Sequence, residues 1–228
     1  MKALIFDMDG VLVDVSKSYR LAIQKTAGFF LKKKIDPAEI QQLKNAGGYN
    51  NDWDLTEALV KNKGAKVEKG ELIEKFQEYY LGENFRGLIK NEKWLLNIDV
   101  LARLKSKYKL AILTGRPKSE AEYALKRFKV KKFFDVVITM DDIPKNKQKP
   151  NPYGLRLVTK KLRVKDAVYL GDAVDDVIMA AKARIKVIGI VPEYMDSNTK
   201  ELLLDKGAVA VLDDINQLEG VLDEKIKA

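Results

Sequence analysis

Ala3-Leu4-Ile5-Phe6-Asp7-Met8-Asp9-Gly10-Val11-Leu12-Val13-Asp14 decides how this chain reads. Four apolar residues bounded by acids suit a short buried strand better than a helix. Asp7 falls where that strand ends, Asp9 follows two residues on, and Gly10 lets the chain turn sharply. Two carboxylates this close repel each other. Such a pair commonly shares a cation or divides the roles of nucleophile and acid. A polar turn with incidental acids would also explain the segment taken alone.

Further along, apolar runs recur at Leu110–Leu113, Val136–Thr139, Ala167–Leu170, Val187–Val191 and Val209–Leu212. They are continuous rather than alternating, as expected of parallel strands covered on both faces. Helical patterns lie between them. Asp99 is placed to cap a helix carrying Val100, Leu101 and Leu104. Pro117 suits the first position of a helix carrying Ala121, Ala124, Leu125 and Phe128. Leu155, Val158 and Leu162 mark another. The alternation predicts an α/β fold with a doubly wound parallel, Rossmann-like sheet. Between Val15 and Leu95 the pattern is helical, with no convincing strand. Ser16 is placed to cap a first helix (Tyr19, Ile23, Ala27, Phe30), and Asp36-Pro37 begins a second. Trp53, Ala58 and Leu59 mark a third, and Leu72, Phe76, Tyr79 and Tyr80 a fourth. The expected organisation is a core of residues 1–14 and 96–228, with an all-helical insert at 15–95. Val13–Ser16 and Asn91–Asp99 would be its hinges.

Three more segments set polar residues at strand ends, where parallel sheets bind ligands. Thr114-Gly115-Arg116-Pro117 leads into a helix whose free N–H groups suit a phosphate, although taken alone it is better explained as an ordinary cap. Lys149, in a proline-stiffened Lys147–Pro152 loop, could neutralise a phosphate or carboxylate, or could simply be solvated. Gly171-Asp172-Ala173-Val174-Asp175-Asp176 puts Asp172 and Asp176 four apart at a helix start, which suits either a shared site or complementation of the helix dipole.

In this order, the four segments resemble the motifs of the haloacid dehalogenase-like hydrolase superfamily, phosphatase subfamily I with a helical cap. The likeness covers nearly the whole chain. It implies an Mg²⁺-dependent phosphatase working through an aspartyl-phosphate. Asp7 would be the nucleophile and Asp9 the acid and base. Thr114 and Gly115 would bind phosphoryl oxygens and Lys149 would balance charge; Arg116, bordering the phosphate site, is a further candidate substrate contact. Asp7, Asp9 (through its carbonyl), Asp172 and Asp176 would serve the metal, with Asp176 orienting bound water or Lys149 and Asp175 beside it. Ala173 stands where relatives often carry a hydroxyl, and Arg184 where glycine usually ends the helix. In the insert, Gly47-Gly48-Tyr49-Asn50-Asn51-Asp52-Trp53 could reach over a ligand, with Asn51 a substrate contact, or could be a turn anchored by Trp53. Arg86 could meet a substrate anion or stay solvated.

Composition narrows the alternatives. The 228 residues include no cysteine and no histidine, which removes thiolate, imidazole and disulfide chemistry and leaves oxygen ligands for a hard cation. The net charge of +9 is spread over insert and core alike, so a solvated surface is favoured over a nucleic-acid stripe. The N-terminal apolar run is short and broken by acids, unlike a signal peptide, and no run approaches the ~18 residues of a membrane span. The expected setting is cytoplasmic, as a monomer or homodimer, with a small phosphorylated metabolite as partner and neither nucleic acid nor membrane. Rival readings are a sugar-phosphate mutase of the same superfamily, a metal-free dehalogenase, a receiver-like domain and a non-catalytic interaction protein on the same scaffold.

Overall fold

The computed structural model describes residues 2–49, 51–192 and 197–225. The chain divides into two compact units, one formed by Met1–Val13 with Trp94–Ala228 and the other by Asp14–Lys93. In order, the elements are β1 (Ala3–Phe6), β2 (Val13–Asp14), α1 (Tyr19–Leu31), α2 (Pro37–Ala46), α3 (Asp52–Asn62), α4 (Lys69–Tyr80), β3 (Lys93–Trp94) and α5 (Ile98–Lys107). There follow β4 (Lys109–Leu113), α6 (Lys118–Arg127), β5 (Val136–Ile138), α7 (Tyr153–Leu162), β6 (Ala167–Gly171), α8 (Val174–Ala183), β7 (Lys186–Ile190), α9 (Ser197–Asp205), β8 (Ala210–Leu212) and α10 (Leu218–Lys225).

Six strands form one parallel sheet in the order β5-β4-β1-β6-β7-β8. β1 is central because all four of its side chains are apolar and wholly buried, which only a strand covered on both faces allows. After β1 the chain winds outward through β4 and β5, then returns to β6 and winds the other way through β7 and β8. The reversal falls at β1, the position where doubly wound sheets open a ligand crevice. Register fixes what meets there. Phe6 lies opposite Ile112 on β4 and Leu170 on β6. The next residues on all three strands therefore reach one edge together, and Asp7 N–H continues the ladder to the Leu170 carbonyl at 2.8 Å. Leu155, Val158 and Leu162 of α7 join Ile5, Ala111, Leu113 and Ile138 in one core cluster. Each buried leucine, isoleucine or valine among them contributes about 1.5–3 kcal/mol.

The second unit holds α1 to α4. Tyr19 stacks on Tyr80 with ring centroids 4.0 Å apart, beside Phe76. The buried Glu92 carboxylate accepts hydrogen bonds from the Ser18 and Tyr80 hydroxyls at 3.1 and 3.0 Å. Asp36 caps α2 by accepting from Ala38 N–H, with Pro37 in the first turn.

Several local expectations are corrected. Ser16 does not cap α1; the helix starts at Tyr19, Ser18 precedes it, and the Ser16 N–H binds Asp14. Asp99 lies inside the first turn of α5, with Asn97 at the cap position. Pro117 precedes α6 rather than opening it. Lys93–Trp94 is a strand in a stretch read as strandless, and it pairs with β2 in a two-stranded sheet. Among the described residues, no helix is long and apolar enough to cross a membrane.

Candidate active site

Four polar loops meet at the carboxyl edge of the sheet around β1. Asp7 is buried. One of its oxygens accepts the Met8 N–H at 2.7 Å, and the other lies 2.7 Å from Lys149 Nζ. The same ammonium is 2.9 Å from Asp176 Oδ1. Its side chain is only 4% exposed, so the Lys149 loop turns the lysine inward and does not leave it solvated.

Asp176 lies in the first turn of α8 and is wholly buried. Its Oδ1 also accepts the Tyr169 hydroxyl at 3.0 Å, and its Oδ2 accepts the backbone N–H groups of Asp172 and Ala173 at 3.1 and 3.2 Å. The last bond is half of a capping box. The reciprocal half needs a hydroxyl that Ala173 lacks. Four accepted contacts fill a carboxylate's usual capacity. Asp176 is therefore committed to fixing its neighbours, although one oxygen from each of Asp7, Asp172 and Asp176 falls within 4.8 Å of the others.

Two glycines permit this crowding. Gly10 has φ +72°, and a Cβ there would lie 2.3 Å from Asp172 Oδ2. A Cβ at Gly171 would lie 2.5 Å from Asp176 Cβ and Oδ2. The β1 turn and the β6–α8 turn approach closely only because both residues lack a side chain.

Electrostatics follow from burial. Desolvation pushes the Asp7 carboxyl well above its ordinary range; Asp176, Asp172 and Asp9 push the same way, and Lys149 opposes them. Burial pulls Lys149 down, but Asp176 and Asp7 outweigh it and hold the ammonium above the usual lysine range. Burial, then Asp176, raises the Tyr169 hydroxyl, so it remains a donor. With all three carboxylates ionised, one ammonium leaves two negative charges, which one divalent cation would offset. The donors are all oxygen, which suits a hard ion such as Mg²⁺. The residues present fit that group.

Asp9 does not join the cluster through its carboxylate. Its Oδ1 accepts Arg116 Nε at 2.8 Å and also Arg116 Nη2. The Arg116 side chain has no exposed surface, so the substrate contact expected of it is corrected to a contact with Asp9. Thr114 is buried beside it, and its Oγ1 accepts the Arg116 N–H at 3.1 Å. Thr114 N–H continues the strand ladder to Ile138 at 3.0 Å. Gly115 follows Thr114 at this edge, between β4 and α6.

The insert residues have other occupations. Asn51 Oδ1 caps α3, accepting from Trp53 and Asp54 N–H at 2.9 and 3.3 Å. Asn50 lies outside the described residues. Arg86 is exposed. Arg184 ends α8 in the left-handed region at φ 59°, where glycine would be unstrained. Sequence reasoning missed Tyr169. Its signal is a hydroxyl in an otherwise apolar strand, since a buried phenol needs a partner.

Comparisons with known proteins place the chain in a family. The family model described as haloacid dehalogenase-like hydrolase matches residues 4–190. An imidazoleglycerol-phosphate dehydratase of Phytophthora nicotianae is 34% identical over 199 residues, 83% of this chain, and the chain spans only 43% of that protein's length. A phosphorylated carbohydrates phosphatase of Thermotoga maritima is 30% identical over 217 residues, 93% of this chain and 94% of that protein. A Thermotoga maritima structure provisionally described as a β-phosphoglucomutase superposes with a TM-score of 0.69 at 28% identity, covering 98% of this chain and 99% of that one.

Proposed function

This chain belongs to the haloacid dehalogenase-like hydrolase family, and from that premise we propose that it is an Mg²⁺-dependent phosphatase of small phosphate monoesters, acting in the cytoplasm as a monomer or homodimer. The observation that carries the reading is the buried contact of Lys149 with both Asp7 and Asp176 at the sheet edge. Lys149 fixes the Asp7 carboxylate and offsets part of its charge, so an anionic phosphate can approach. Asp7 attacks phosphorus in line and becomes the aspartyl-phosphate. Asp9, more exposed than Asp7, protonates the leaving oxygen and then takes a proton from the attacking water. The Thr114 hydroxyl and the Gly115 N–H bind phosphoryl oxygens. Asp7, Asp172 and the Asp9 carbonyl would hold Mg²⁺, which supplies charge neutralisation of the transferring phosphoryl group when bound. Asp176 orients these groups.

The test is hydrolysis of p-nitrophenyl phosphate and of a panel of phosphorylated metabolites with Mg²⁺. Activity should vanish with EDTA and in Asp7→Asn; turnover unchanged in that variant would overturn the mechanism. A sugar-phosphate mutase is the second reading, favoured by the likeness to the Thermotoga structure. Product analysis on a hexose 1-phosphate separates the two.

A further inference from the structure

The geometry points to Arg116 as a positioning residue that decides which oxygen of Asp9 handles the proton. The inference rests on the phosphatase reading and adds a role that the reading does not require. Arg116 places two donors, Nε and Nη2, on the single atom Oδ1 of Asp9. Two N–H groups occupy both lone pairs of that oxygen. A proton held there would have to displace a guanidinium donor. Among the described residues Oδ2 has no such partner, so the transferable proton belongs on Oδ2.

Burial makes the arrangement directional. The Arg116 side chain is fully enclosed while Asp9 keeps 28% of its side chain exposed. The arginine therefore acts on the carboxylate from behind and does not reach the ligand. Its own backbone is fixed on both sides, since its N–H binds Thr114 Oγ1 at 3.1 Å and its carbonyl accepts the Met140 N–H at 3.0 Å. A rigid planar fork pins an acceptor where a lysine, a flexible point charge, would not.

The steps balance. In the first, an Asp7 oxygen bonds to phosphorus, the P–O bond to the leaving alcohol breaks, and the proton on Asp9 Oδ2 goes to the alcohol oxygen. In the second, water bonds to phosphorus and gives its proton to the same Oδ2, while the P–O bond to Asp7 breaks. Asp9 ends as it began.

A residue that aims a general acid should matter most when the leaving group needs the proton. The experiment measures kcat/KM, which reports the first chemical step, for Arg116→Lys and Arg116→Met. The substrates are a series of aryl and alkyl monophosphates of rising leaving-group basicity. General acid catalysis is worth about 10²–10⁴-fold. Both variants should lose roughly 10²-fold or more on alkyl phosphates and less than about 5-fold on p-nitrophenyl phosphate, steepening the leaving-group dependence. Asp9→Asn should show the same steepening, and adding Arg116→Met to it should cost little more. Thermal melts check that the variants fold. If Arg116→Met does not fold, Arg116→Lys, which keeps the buried cation, carries the test. Equal losses across the series, or none, would overturn the inference while leaving the phosphatase reading intact. A wild-type protein inactive on every phosphate would overturn both.

Discussion

Replacing Gly10 with alanine separates the cost of a strained turn from the cost of a displaced metal ligand. The backbone at Gly10 has φ +72°, where a Cβ costs about 1–2 kcal/mol. The new Cβ would also sit 2.3 Å from Asp172 Oδ2 and 2.8 Å from its Cγ, where non-bonded carbon contacts need about 3.5–4 Å. The obstructing atoms are the far end of a side chain, so the clash is relieved by swinging the Asp172 carboxylate away by roughly 1 Å. The fold then survives with a loss of about 1–2 kcal/mol, a drop in Tm of roughly 2–8 °C for a chain of this size. The site does not survive, because Mg²⁺ needs its oxygens at about 2.0–2.1 Å in near-octahedral array. Gly64→Ala is the control: its φ is +84° and nothing lies within 4 Å of the added carbon. In thermal melts at ~100 times the dissociation constant, Mg²⁺ should add about 2.7 kcal/mol to the wild type and to Gly64→Ala. Gly10→Ala should gain almost nothing and lose phosphatase activity. A Gly10→Ala protein with the wild-type Mg²⁺ response would refute the placement of Asp172 as a ligand.

Two further outcomes follow from the buried charges. In metal-free protein Asp7 binds its proton more tightly folded than unfolded, so its contribution to stability is complete below the usual 3.8 and is lost as pH rises through the elevated folded value. Denaturant melts across that window should show stability falling with pH, and Asp7→Asn should flatten the fall. Mg²⁺ affinity should run the opposite way, weakening up to about tenfold per pH unit on the acid side; a flat titration would contradict metal binding by Asp7. Lys149→Met leaves two buried carboxylates without their cation and should cost about 3–5 kcal/mol in urea melts, together with roughly 10²-fold or more in kcat. A variant as stable as wild type would show that the contact contributes little.

The sheet was legible because its signal is local. Each central strand is a continuous apolar run, and each run stops at a polar residue placed by register at the shared edge. Their positions after strands placed Asp7, Thr114 and Asp172 at one edge. Arg116 could not, because its partner Asp9 lies 107 residues away and only the fold shows that the guanidinium turns inward. Capping signals failed where tertiary contacts outweighed them. The Ser18 hydroxyl is taken by Glu92, 74 residues on, and α1 starts after it without a side-chain cap. Asn51 shows a cap that did form. It is a strong N-cap residue and caps α3 through Oδ1, a role that the glycines and aromatics around it had obscured.

The acids of this edge are not equivalent, and hydrogen-bond capacity separates them. Asp176 spends its acceptors on Lys149, Tyr169 and two backbone N–H groups, so it is the most heavily engaged of the acids at this edge. Asp9 gives one oxygen to Arg116 and keeps the other. Among the described residues Asp7 accepts one backbone N–H and the Lys149 contact, which leaves lone pairs for the proposed attack on phosphorus and for a cation. A carboxylate held by few donors in a buried site is a high-energy anion, hence its raised proton affinity. The chain Tyr169–Asp176–Lys149–Asp7 thus keeps the proposed nucleophile fixed without quenching it. Saturating Asp176 is what allows Asp7 to stay unsaturated.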